Sequence, residues 1–195
     1  LHPTLRMMKT INYHLYLVTD EVERCRYGLE ETVRCAVEGG VTVVQYRSER
    51  LSHEEQRQQV LPLQRYLSSV GVPLIINDNV QLAVEIGADG IHIGQDDMPV
   101  PQARALIGPD KILGLTVTTA QQMAEVDTAL VDYVGIGPVF PTITKDDAAL
   151  ENNVVATFTT DKEAQTSTIH IAAGDPDFAG DYKDTVTFTL TVKTN

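Results

Sequence analysis

Short apolar runs rich in Val, Ile and Leu recur along the first part of the chain. They fall at His14–Thr19, Val41–Tyr46, Leu74–Asn77, Gly90–Ile93, Ile112–Val117 and Tyr133–Ile136. Runs of this length without alternation predict strands covered on both faces. The segments between them have a helical period. Leu29, Val33, Ala36 and Val37 make one stripe of a helix over Leu29–Glu38, stopped by Gly39-Gly40. Ser52 with Glu55 is a capping-box pair opening a helix that runs towards Ser69. Val80–Ile86 ends at Gly87, and Val100–Ile107 ends at Gly108-Pro109. Thr119–Ala129 is the next helix, with Thr118 or Thr119 as its N-cap. Strand and helix alternate, which predicts parallel βαβ units. Six such strands precede Leu150.

Beyond Leu150 the pattern changes. Residues 151–195 contain ten Thr, one Leu and no Arg. Val154–Thr159, Thr166–Ile171 and Thr185–Val192 alternate apolar and polar positions, the pattern of antiparallel strands with one wet face. Gly174-Asp175-Pro176-Asp177 and Gly180-Asp181 are turn signals. The expected division is therefore an α/β region over residues 1–149 and a β-rich tail of different origin over 150–195, as in a chimera. In composition alone, the tail weakly resembles the closing strands of bacterial extracellular β-sandwich domains.

Composition narrows the function classes. The chain has 195 residues, 43% of them hydrophobic, with no Trp and a net charge of −12. A broad basic face for nucleic acid is excluded, but a local basic pocket is not. Cys25 and Cys35 fit no zinc or redox spacing, and Cys35 is expected as a small core residue. Leu1–Thr10 lacks the apolar stretch of a secretory signal, and no run approaches the ~20 apolar residues of a membrane span. The expected location is cytoplasmic.

Four polar clusters each follow a predicted strand: Gln45-x-Arg47, Asn77-Asp78, Gln95-Asp96-Asp97 and Thr142-x-Thr144-Lys145. Strand C-termini in α/β folds converge on one rim. Asp78 and Asp97, after adjacent strands, suit Mg²⁺, which is often held by one or two carboxylates plus substrate phosphate. The alternative is that Asp78, and Asp96 or Asp97, merely cap the helices that follow. Arg47 offers a planar fork matched to phosphate. Gln45 and Asn77 can fix a heterocycle through paired donor and acceptor contacts. Thr142, Thr144 and Lys145 supply hydroxyls and an ammonium that suit pyrophosphate. His92, inside a strand, reads as a satisfied core histidine. Glu21–Arg26 and His53–Arg57 read as solvated segments.

Five blocks carry a resemblance: Leu15–Asp20, Gly39–Arg47, Ile75–Asn79, Gly90–Asp97 and Asp132–Lys145. Residues 11–149 resemble thiamine-phosphate synthase. The resemblance implies a (β/α)8 TIM barrel, here matched through six βα units and followed by an all-β tail. It implies a transferase that joins hydroxymethylpyrimidine pyrophosphate to a thiazole phosphate and releases pyrophosphate. By position, Asp78 and Asp97 would hold Mg²⁺. Gln45, Arg47 and Asn77 would hold the pyrimidine pyrophosphate. Thr116 falls where the family usually has a Ser near the reacting groups. Thr142 and Thr144 would bind the thiazole phosphate, and Lys145 the pyrophosphate. The partners implied are small phosphorylated molecules.

Two departures stand out. The family's strand-two motif is Gln-x-Arg-x-Lys, and the Lys position here is Glu49. Nothing after Leu150 matches the family's last two βα units, so a closed barrel is not expected from this chain alone. A related barrel, the thiazole tautomerase, is a second reading. The Asn77-Asp78 and Asp96-Asp97 pairs argue against it, because that relative does not need the metal. A third reading is a non-catalytic chimeric chain whose tail is a β-sandwich-like binding segment.

Overall fold

The computed structural model describes residues 11–21 and 27–136, and the backbone of residues 168–171 and 184–187. The chain divides into two units. The first comprises residues 1–117 and 125–137, the second residues 118–124 and 138–195.

The first unit is built on β1 (Tyr16–Val18), α1 (Leu29–Glu38), β2 (Val43–Tyr46), α2 (His53–Val70), β3 (Leu74–Asn77), α3 (Val80–Ile86), β4 (Gly90–Ile93), α4 (Val100–Ile107), β5 (Ile112–Val117) and β6 (Tyr133–Ile136). The six strands pair in parallel, in chain order, as one sheet. β3, β4, β5 and β6 have the predicted bounds, as do α1, α3 and α4. β1 is shorter than the apolar run His14–Thr19, and β2 starts at Val43 rather than Val41.

Register sorts the side chains into two faces. Val44, Tyr46, Leu74, Ile76, Ile91, Ile93, Leu113 and Val117 are buried on the face that the helices cover. Val43, Ile75 and Ile112 pack together on the other face, with Ile11, Tyr16 and Tyr133 against them. The sheet is strongly curved. Tyr16 lies on one edge strand and Tyr133 on the other, and five strand spacings would set flat edges roughly 24 Å apart. Their hydroxyls are 2.7 Å apart. Six parallel strands thus form a half-barrel with an inner face.

Glycines make room on that inner face. A Cβ on Gly114 would lie 2.2 Å from the Tyr133 ring and 2.5 Å from His92 Nδ1. One on Gly90 would lie 2.4 Å from the carbonyl oxygen of Ile112. The large side chains on neighbouring strands fill the space that these positions leave.

Two expectations in this unit are corrected or refined. Cys35 is exposed, with its thiol beside Glu31. It lies two positions beyond the buried Val33, about 200° around the helix. Its thiol is raised above the ordinary value, first by local desolvation and then by the neighbouring carboxylates of Glu31 and Glu38. The helix expected over Thr119–Ala129 is α5, only Ala120–Ala124. Asp127 stops any continuation, because its carboxylate accepts from Ala129 N–H at 2.9 Å and its carbonyl accepts from Leu130 and Val131.

The second unit contains α5 and a two-stranded antiparallel ladder, β7 (Thr168–Ile171) with β8 (Asp184–Thr187). In α5, Gln122 N–H donates to Thr119 Oγ1 at 3.1 Å and Gln122 Oε1 accepts from Thr118 and Thr119 N–H, so Thr119 is the cap. The strand expected at Val154–Thr159 lies outside the described residues.

Candidate active site

The C-terminal halves of the inner-face strands carry polar side chains. Gln45 on β2, Asn77 on β3, His92 on β4 and Thr116 on β5 follow the apolar layer of Val43, Ile75 and Ile112. Gln45 and His92 are buried. Alternation along each strand makes this layering: the inward polar residue stands two positions beyond Val43 and Ile75, two beyond Gly90 on β4, and four beyond Ile112 on β5.

Three of these groups, Gln45, His92 and Thr116, join through two tyrosines. Gln45 Nε2 donates to Tyr16 Oη at 2.9 Å. Tyr16 Oη and Tyr133 Oη are hydrogen-bonded, and Tyr133 Oη meets His92 Nδ1 at 3.0 Å. His92 Nε2 meets Thr116 Oγ1 at 2.8 Å. His92 is therefore a satisfied histidine, as expected, but its partners are site residues. Tyr13 stacks on Tyr133 with centroids 5.1 Å apart. Burial raises the phenol of Tyr16 above its ordinary value and that of Tyr133 well above it. Sequence reasoning passed over both tyrosines, since Tyr16 and Tyr133 are distant in sequence and sit on opposite edge strands.

The loop after β2 holds Arg47. Its backbone N–H donates to Thr19 Oγ1 at 3.0 Å, and its guanidinium pairs with Glu49. Glu21 shapes the same loop: its carboxylate accepts from Ser48 Oγ and, at 2.7 Å, from Glu49 N–H. Glu21 is thus more than a solvated charge. The expected phosphate fork is engaged by the anion that stands at the family's Lys position.

Asp78 does not cap α3; Asn79 does, with Oδ1 accepting from Leu82 N–H at 3.0 Å. Nor does Asp96 or Asp97 cap α4, where Pro99 holds that position. Asp78 has a φ of 59°, the one positive value among described non-glycine residues. A tight turn holds it there: Asn79 N–H donates to the Asn77 carbonyl at 2.6 Å and Asp78 N–H to the His92 carbonyl at 2.8 Å. Backbone strain of this kind is often stored at working sites. Asp78 Oδ2 accepts from Asn77 Nδ2, and Asp97 Oδ2 accepts from Gly94 N–H, both at 2.6 Å.

Both carboxylates are exposed and follow adjacent strands, β3 and β4. Among the described residues no group of three or more His, Cys, Asp or Glu side chains could hold a metal. Carboxylates are the hard oxygen donors that suit a cation completing its shell with water and phosphate oxygens. Thr142, Thr144 and Lys145 lie outside the described residues.

A sequence profile described as thiamine monophosphate synthase matches residues 15–174. The chain belongs to this family. The match extends past Leu150, where the composition changes. Among relatives of this thiamine monophosphate synthase family member, the Vibrio parahaemolyticus protein named thiamine-phosphate synthase is 48% identical over 133 residues. That alignment covers 68% of this chain and 65% of the relative. The Syntrophomonas wolfei protein of the same name is 44% identical over 141 residues, covering 72% of this chain and 68% of the relative. The solved thiamine phosphate pyrophosphorylase from Pyrococcus furiosus superposes with a TM-score of 0.59 at 33% identity. It covers 66% of this chain and 61% of that structure. The family member thus spans just under two thirds of the Vibrio relative's length. No helix among its described residues is long and apolar enough to cross a membrane.

Proposed function

We propose that the chain is a thiamine-phosphate synthase, a transferase in thiamine biosynthesis acting on two small phosphorylated molecules. The observation that carries this reading is the run of Gln45, Asn77, Asp78, Asp97 and Thr116 at the C-terminal ends of consecutive parallel strands. In α/β barrels that rim is where chemistry is done. The relatives' names supply the product, thiamine phosphate, and the sequence resemblance supplies the two substrates.

In the proposed reaction the bond between the pyrimidine methylene carbon and the pyrophosphate oxygen breaks, and its electron pair leaves with pyrophosphate. The lone pair of the thiazole nitrogen then forms the new carbon–nitrogen bond. Gln45 and Asn77 hold the pyrimidine by its hydrogen-bonding edge. Arg47 reaches the pyrophosphate by exchanging its Glu49 partner for phosphate oxygens. Thr116 sits beside the reacting groups. Asp78 and Asp97 would hold Mg²⁺, which when bound neutralises charge growing on the leaving group. Thr142 and Thr144 are assigned to the thiazole phosphate and Lys145 to the pyrophosphate, by the resemblance. The apolar layer below the site keeps water from the electron-poor carbon until capture.

The test is pyrophosphate release by the folded protein with both substrates, with and without Mg²⁺. Release that needs the metal and the thiazole phosphate is expected. Asp78→Ala and Asp97→Ala should each lower it at least a hundredfold. Absence of release from folded protein would overturn the proposal.

A further inference from the structure

The five-membered hydrogen-bond chain has a property that its separate contacts do not. Each internal member, Tyr16, Tyr133 and His92, can both donate and accept. A phenol oxygen can accept twice, so the direction is set by where each phenol proton can go: among the described hydrogen bonds, the Tyr16 proton has only Tyr133 as an acceptor beside the donating Gln45 amide, and the Tyr133 proton then has only His92 Nδ1. At one end the amide nitrogen of Gln45 can only donate, and it donates to Tyr16. The Tyr16 proton then points to Tyr133, and the Tyr133 proton to His92 Nδ1. His92 Nδ1 accepts, so its proton is on Nε2 and is given to Thr116 Oγ1. The Thr116 hydroxyl proton is left to point at an acceptor elsewhere.

We propose that Gln45, Tyr16, Tyr133, His92 and Thr116 form a polarity relay that makes the inner rim present an acceptor at Gln45 Oε1 and a hydroxyl donor at Thr116 together. Tyr16, Tyr133 and His92 are positioning residues. The relay selects a ligand that brings an N–H donor to Gln45 and an electron-rich oxygen or nitrogen to Thr116. A ligand of opposite pattern meets two mismatches at once, because turning the Gln45 amide reverses every bond as far as Thr116. The geometry itself depends on Gly114, where a Cβ would collide with both Tyr133 and His92. The selection of ligand rests on the proposed function; the direction of the relay does not.

The experiment reads the His92 tautomer by nitrogen-15 NMR in ligand-free, folded protein, with the His92 signal assigned by its loss in His92→Gln. The wild-type ring is expected as the Nε2–H tautomer. In Gln45→Glu the carboxylate can only accept, so Tyr16 must donate to it and His92 should switch to Nδ1–H. In a Tyr133→Phe background the same Gln45→Glu change should no longer move the tautomer. An unchanged tautomer in Gln45→Glu, or a switch that persists without the Tyr133 hydroxyl, overturns the relay. If Gln45→Glu does not fold, Gln45→Met serves: it removes the donor that sets the direction, so a mixture of both tautomers is expected, and a pure Nε2–H signal overturns the proposal. A tautomer switch in a protein without turnover would keep the relay and remove the synthase reading. Turnover with an unresponsive tautomer would do the reverse.

Discussion

At the scale of single residues, Asp78 joins a strained backbone to the proposed metal-holding role. Its φ of 59° costs an L-residue of this kind about 1 kcal/mol, which glycine does not pay. Asp78→Gly would remove that strain and also the hydrogen bond from Asn77, itself worth about 1 kcal/mol net. The two terms nearly cancel. Asp78→Gly should therefore keep the wild-type melting temperature within a few degrees while metal-dependent pyrophosphate release is lost. A large fall in melting temperature would show that the carboxylate has a structural role instead. Gly114 is the opposite case. With a Cβ 2.2 Å from the Tyr133 ring, Gly114→Ala overpacks the inner face and should cost about 1–3 kcal/mol in a urea titration.

At the scale of elements, α2 and α4 show how ends are secured. Ser52 and Glu55 form a full capping box at the start of α2. Ser52→Ala should lower stability by about 1 kcal/mol. Hydrogen bonds from the Ser52 hydroxyl and backbone hold the Glu55 carboxyl below its ordinary value of 4.5. The sign follows from that direction. The contribution of Glu55 is present above its unfolded value and is lost as pH falls through the lower folded one. A Glu55→Gln variant should therefore differ from wild type in melting temperature at neutral pH and converge with it in acid. Arg104 secures α4 differently. Its guanidinium donates to the carbonyls of Gly108, Lys111 and Leu130 and pairs with Asp132 at 2.8 Å, nearly out of water. Arg104→Met leaves the Asp132 charge buried without that partner and should cost about 3–5 kcal/mol by the same titration.

These elements were legible because local rules agree with the fold. The runs at Leu74, Gly90, Ile112 and Tyr133 are bounded by turn residues, and glycines close α1, α3 and α4. α5 was overextended because apolar spacing continued past Ala124 while the Asp127 turn outweighed it. Cys35 was misplaced because a small apolar residue was assigned to the core without reading its angle on α1. The site was half legible. Gln45 and Asn77 are singled out by their position at strand ends, and Thr116 only by the resemblance. Tyr16, Tyr133 and the Glu21 loop contacts do not, because they depend on curvature and register that no local pattern encodes.

For the six-stranded unit as a whole, the buried phenols set an alkaline limit. Burial raises Tyr16, Tyr46 and Tyr133 above the ordinary value of 10.0. Above that value the unfolded chain releases protons that the native one keeps. Stability fully present below pH 10 should then fall as pH rises. Denaturation followed alongside tyrosinate absorbance should show unfolding and ionisation rising together, and early tyrosinate absorbance without unfolding would contradict this.

The bond between Tyr16 and Tyr133 also bears on how the fold is reached. Every pairing in the six-stranded sheet joins strands consecutive in the chain, so each loop to be closed is short. The sheet can therefore grow strand by strand as the chain leaves the ribosome. The tyrosine bond spans 117 positions, and it cannot form until β6 arrives. Synthesis would thus assemble the scaffold progressively and connect the polar chain between Gln45 and Thr116 in one late event. A nascent chain stalled before Tyr133 would hold most of the sheet and none of that connection.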